Sequence, residues 1–97
     1  MMRPRKRRLI RFSPDVTYFK PRGMPLVELD EVELGHDEIE AIRLKDLNKL
    51  NQKSCAQKMK ISQSTFQRIL SSAHQKIAKA LIGGCAIRIK EGGELSD

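Results

Sequence analysis

The sequence predicts a mainly helical fold. Three helices fall at about 37–48, 52–59 and 63–82, behind an extended basic N-terminal arm and ahead of a short C-terminal β-strand at about 85–90. Three observations carry this prediction. Apolar residues recur every three or four positions from Phe66 to Leu81, the period of one helix face held over five turns. Small and apolar residues flank a tight corner at Lys60, as two closely packed helices require. The first 25 residues contain four prolines among many basic side chains, which argues against a helix there. The chain accordingly divides into a basic, proline-rich arm (1–25), a folded domain (26–90) and a disordered tail (91–97).

Taken in order, the arm opens with the cluster Arg3, Arg5, Lys6, Arg7 and Arg8. Leu9 to Phe12 alternates loosely and reads as extended. Val16-Thr17-Tyr18-Phe19 is β-prone and bounded by prolines. Phe12, Tyr18 and Phe19 are three of the four aromatics in the chain, and packing the arm onto the core is favoured for them over stacking on bases. LVELDEVEL (26–34) is acidic, with apolar Leu26, Leu29, Val32 and Leu34. Its period leaves a short helical turn and a strand both open. Asp37, Glu38 and Glu40 crowd the start of the next segment, where negative charge suits a helix N-terminus. Ile39, Ile42 and Leu47 fall on one face of that first helix, with Leu44 and Leu50 nearby.

Asn51 can cap the second helix, QKSCAQKM, and Ser62 the third. The inward stripe of the third helix is Phe66, Ile69, Leu70, Ala73, Ile77, Ala80 and Leu81. Gly83-Gly84 ends it, since glycine tolerates the left-handed conformation that follows a helix. CAIRIK (85–90) alternates as a strand does. Its own copy in a second subunit and the arm are both candidate partners, and the sequence leaves the pairing open.

The corner at Lys60 has the side chains of a helix-turn-helix. Counted from Gln52 as position one, the fourth, fifth and eighth positions are Cys55, Ala56 and Met59. The tenth, fifteenth and eighteenth are Ile61, Phe66 and Ile69. The fifth is small, and the others are apolar. Lys60 itself stands where glycine is common, because the backbone there tends to positive φ. A lysine adopts that conformation at a cost of about 1 kcal/mol. Burial of one apolar side chain contributes about 1.5–3 kcal/mol, so the packing positions can offset it.

With the apolar stripe inward, the third helix turns Ser64, Gln67, Arg68, Ser71 and Gln75 outward, with Gln63 at the leading end. In a helix-turn-helix this face enters the major groove N-terminal end first. Glutamine bonds adenine with two hydrogen bonds, arginine bonds guanine, and serine is permissive. Gln63, Ser64, Gln67, Arg68 and Ser71 are therefore the candidate base readers. Arg3, Arg5, Lys6, Arg7, Arg8, Lys53 and Lys60 are the candidates for contact with the DNA backbone. Lys58, Lys76 and Lys79 read as phosphate or solvent contacts.

Charge is segregated along the chain. The net charge of +7 resolves into +7 for residues 1–22, −5 for 23–50, +6 for 51–82 and −1 for 83–97. Two basic blocks flank an acidic one, which points to a polyanion touching particular parts of the surface. Cys55 and Cys85 form no CxxC pair, and their spacing to His36 and His74 fits no zinc pattern, so they read as small half-buried thiols without metal or cofactor. No Ser/His/Asp set is suggested, and the acids lack ligand spacing, which argues against an enzyme. No apolar run is long enough for a membrane span or a secretion signal, so a cytoplasmic protein is expected.

The segments RPRKRR, VTYFKPRGMPL, DEIEAIRLKDL and AQKMKISQSTFQRILSSAHQKIAKALIGGCAIRI follow one another as in a family of small, largely uncharacterised prokaryotic proteins described as DNA-binding. The chain resembles that family over about residues 3–93, most specifically at Tyr18 to Pro25. The family's central part is similar to the helix-turn-helix of sigma-factor region four. The resemblance implies regulation of transcription, with duplex DNA as partner. This sequence departs from the family pattern at Lys60, at Lys53-Ser54-Cys55, which makes the motif more basic, and at His36, which replaces Thr or Ser at the first helix cap. Two other function classes stay open. One is a protein-interaction module that contacts RNA polymerase or another regulator through the acidic stretch 28–40. The other is RNA binding through the arm. A homodimer is a further candidate assembly.

Overall fold

The computed structural model of the protein describes residues 14–90. The basic cluster Arg3 to Arg8, the stretch Leu9 to Phe12 and the tail 91–97 lie outside the described residues. In chain order the elements are strand β1 (Tyr18–Phe19), a 3-10 turn (Leu26–Glu28), strand β2 (Glu31–Leu34), helix α1 (His36–Ile42) continued by a π-helical segment (Arg43–Leu47), helix α2 (Gln52–Met59), helix α3 (Gln63–Gly83) and strand β3 (Ala86–Ile89). The fold is mainly helical with a small three-stranded sheet. None of its helices is long and apolar enough to cross a membrane, among the described residues.

The sheet has the order β1-β3-β2, with β3 antiparallel to β1 and parallel to β2. A parallel pair needs a long crossover, and here all three helices form it. The acidic stretch 26–34 holds both structures that its period left open, first a turn and then a strand. In β2, Val32 and Leu34 are buried while Glu31 and Glu33 are exposed. Val32 pairs with Ile87 and Leu34 with Ile89, which sets an apolar face towards the helices. The other face is polar. Tyr18 Oη donates to Glu31 Oε2 at 2.7 Å, and Arg88 pairs with Glu31 at 3.3 Å and Glu33 at 3.2 Å. The Tyr18 hydroxyl holds the Glu31 carboxyl below its usual range, and the same bond pushes the Tyr18 phenol up. Both edges of β3 are thus occupied within one chain. The strand pairs with Tyr18–Phe19, from the segment read as arm, and with β2, so it does not pair with a second subunit.

The first helix is capped by Gly35 rather than His36. The Gly35 N–H donates to Glu38 Oε1 at 2.8 Å. His36 begins the helix and donates through Nε2 to the Lys90 carbonyl, tying α1 to the end of β3. After Ile42 the turns widen, and the Asn48 N–H bonds the Arg43 carbonyl, five residues back, at 2.9 Å. The wider turn breaks the expected face. Leu44 is buried, but Leu47 is 73% exposed instead of facing inward.

Helices α2 and α3 begin where their caps stand. Asn51 Oδ1 accepts from the Ser54 N–H at 2.8 Å, and Ser62 Oγ from the Thr65 N–H at 3.1 Å. Gly84, at φ +70°, closes α3. The core is Ala41, Leu44, Cys55, Ala56, Met59, Phe66, Ile69 and Leu70, with Ile42, Leu50 and Ile61 packed against it. Cys55 is fully buried, and burial pushes its thiol up. Leu81 departs from the inward stripe and is 75% exposed, because at this end of α3 the covered side is that of Ala80.

Lys60 takes the left-handed conformation expected at the corner, with φ 59° and ψ 46°. Its N–H bonds the Gln57 carbonyl at 3.1 Å, and the Ile61 N–H bonds the Ala56 carbonyl at 3.0 Å, closing α2. Five of the six flanking positions are buried, and Ile61 is partly so. Replacing Lys60 by glycine is expected to relieve the strain, less the greater freedom glycine gives the unfolded chain, for a net gain of about 0.5 kcal/mol. The melting temperature should rise by about 2–4 °C. A fall would show that the lysine side chain contributes more than its backbone costs.

Candidate nucleic-acid interface

A polar cluster around one buried carboxylate sets where α3 lies. Glu38, only 7% exposed, accepts from Ser72 Oγ at 2.6 Å, from the Gly35 N–H at 2.8 Å and from Lys76 Nζ at 2.9 Å. Lys76 Nζ also donates to the Glu33 carbonyl of β2 at 2.8 Å. Burial pushes the Glu38 carboxyl up, but the bonds from Ser72, Gly35 and Lys76 together outweigh it and hold the group below its ordinary value. One carboxylate thus joins α1 to the middle of α3, and its lysine partner reaches the sheet. Lys76, half-buried, is tied to Glu38 and β2 instead of standing free for phosphate as its sequence position suggested. A second link runs from His74 Nε2 to Asp46 Oδ2 at 2.6 Å.

These links leave the N-terminal half of α3 bare on its outer side. Gln63, Ser64, Gln67, Arg68 and Ser71 are all exposed there, as the helical period places them. Several are held in place by neighbours. Gln67 Nε2 donates to Ser71 Oγ at 3.1 Å, and Arg68 Nη2 to Thr65 Oγ1 at 3.3 Å. Gln52 Nε2 donates to the Gln63 carbonyl at 3.3 Å, which fastens the start of α2 to the start of α3. Lys53 and Lys60 are exposed on α2 and at its end. Arg3, Arg5, Lys6, Arg7 and Arg8 lie outside the described residues.

Arg68 stands at the edge of this face. It borders an open cleft of about 230 Å³ between the start of α1 and α3, lined also by Asp37, Glu38, Thr65, Ile69 and Ser72. Sequence reasoning missed the residues that orient the helix, Glu38 and Ser72. The available signal was Lys76 at helical spacing from Ala73 and Ala80, on the covered side of α3, where a charge needs a partner.

The family described as "Protein of unknown function DUF134" matches residues 1–97. A UPF0251 protein of Halothermothrix orenii is 52% identical over 94 residues, covering 97% of this chain and 69% of that protein. A UPF0251 protein of Caldanaerobacter subterraneus subsp. tengcongensis is 59% identical over 93 residues, covering 96% of this chain and 78% of that protein. No solved structure matches.

Proposed function

From the premise that the chain belongs to the family of proteins of unknown function DUF134, we propose that it is a sequence-specific duplex DNA-binding protein that regulates transcription. In this reading α2 and α3 act as a helix-turn-helix similar to that of sigma-factor region four, and the N-terminal half of α3 enters the major groove. One observation carries it. The exposed start of α3 presents Gln63, Ser64, Gln67, Arg68 and Ser71 together, within a stretch (51–82) that contains no acidic residue to repel phosphate. Lys53 and Lys60 flank that face and would meet the backbone, with the arm following alongside.

The rival reading, a protein contact through the acidic stretch 28–40, has less support. Glu31 and Glu33 pair with Arg88, Glu38 is buried against Lys76, and Glu40 is buried against Arg43. Glu28 and Asp30 are left as the exposed acids of that stretch outside an ion pair, among the described residues.

Selection from random duplex DNA should enrich a defined site. On that site Arg68→Ala is expected to lose about 1–3 kcal/mol, roughly 5–150-fold, with little change on unrelated duplex. Equal loss on both duplexes would make Arg68 a backbone contact and displace the assigned reading face. Absence of any enriched site at low salt would overturn sequence-specific binding.

A further inference from the structure

Eight large apolar side chains are exposed among the described residues, and six of them sit at one end of the sheet: Phe19, Met24, Leu26, Val27, Leu81 and Ile82. The topology brings them together. β1 runs into this end at Phe19, opposite Ile87. β2 leaves it at Glu31, opposite Ala86, so the connection carrying Met24, Leu26 and Val27 lies there. α3 finishes at the same end, just before β3 begins. Val27 is 91% exposed and Ile82 88%. Monomers rarely expose contiguous apolar patches beyond a few hundred Å² unless a partner covers them.

We infer that this end of the sheet is a homodimer contact, covered by the same end of a second copy of the chain. The charges around it identify that occupant. Glu28 and Asp30 lie in and just after the 3-10 turn, Arg22 earlier in the same connection, and Lys79 near the end of α3. All four are exposed, and none joins an ion pair among the described residues. A patch with both signs at its rim is self-complementary. A two-fold axis through its apolar centre lets acidic groups of one copy meet basic groups of the other. A nucleic acid would be repelled by Glu28 and Asp30, and a partner of one sign would match only half the rim. The patch and the exposed start of α3 lie at opposite ends of a 21-residue helix, about 31 Å apart, so the contact leaves the proposed DNA face open.

The contact requires no DNA, so its test is separate from that of DNA binding. Sedimentation equilibrium of the full chain alone should show a dimer at about 100 μM, well above the micromolar constants of modest specific contacts. Ile82→Asp and Val27→Asp, in two different elements, should each weaken self-association at least about tenfold. Leu47→Asp, equally exposed but outside the patch, should leave the dimer intact. All three positions face solvent, and unchanged thermal melts will show that the variants fold. A wild-type chain that stays monomeric at that concentration overturns the inference. So do patch variants that dimerise as the wild type does, or loss of the dimer in Leu47→Asp to the same extent.

Discussion

Replacing Glu38 by alanine is expected to destabilise the protein by about 2–4 kcal/mol, read from the urea midpoint at neutral pH. The substitution strips three donors of one acceptor: Ser72 Oγ, the Gly35 N–H and Lys76 Nζ. Removing one partner of a fully buried ion pair costs about 3–5 kcal/mol, but here the lysine side chain is 39% exposed and water can solvate it. That exposure sets the lower range. Glu38→Gln keeps an acceptor in the same place and should lose less, about 1–2 kcal/mol. If Glu38→Ala costs as little as a surface substitution, the cluster does not fix α3.

The same carboxylate gives stability a pH dependence with a definite sign. Its folded value is held below the ordinary one. Its contribution is therefore complete above the unfolded value of roughly 4.3 and is lost as pH falls through the lower, folded value. The gap between wild type and Glu38→Gln should be constant from pH 8 to about 5 and close below about 4. Glu31, held down by Tyr18 and Arg88, adds to acid loss with the same sign in both proteins, so the difference isolates Glu38.

Which parts of this architecture were legible in the sequence follows from how local their causes are. The ends of α2 and α3 are set by Asn51, Ser62 and Gly84, each acting on groups within a few residues, and the sequence places them closely. The positive φ at Lys60 follows from the same local packing. The sheet does not. β2 has four residues and only two inward positions, too few for a period to separate a strand from a helical turn. Its partner lies across all three helices. Leu47 was misplaced because a single widened turn rotates every later side chain. Within the candidate site, the outward face of α3 was legible because a long helix defines its own outside. The buried state of Glu38 was not, since its partners Ser72 and Lys76 stand 34 and 38 residues further on. Acids at a helix start read equally well as dipole partners in solvent.

That reassignment of charges sharpens what DNA binding should look like. Lys76 is engaged with the Glu38 carboxylate and leaves the set of phosphate contacts, and Arg43 and Arg88 are likewise paired with carboxylates. The assigned backbone contacts are Arg3, Arg5, Lys6, Arg7, Arg8, Lys53 and Lys60, while Lys58 and Lys79 stay open between phosphate and solvent. Seven such contacts predict that log affinity falls with log salt at a slope of about −6 on duplex DNA. Between 50 and 200 mM salt the affinity should then drop by about 10³–10⁴-fold. Replacing the five arm cations by glutamine should reduce the slope to about −2 and the drop to about tenfold, while the preference for the selected site survives, because the arm carries no base reader. Arg68→Ala should do the reverse, flattening preference with little effect on the slope. A steep slope that persists after the arm is neutralised would move the phosphate contacts onto the helical domain. Loss of preference with the arm would make the arm, and not α3, the element that reads sequence.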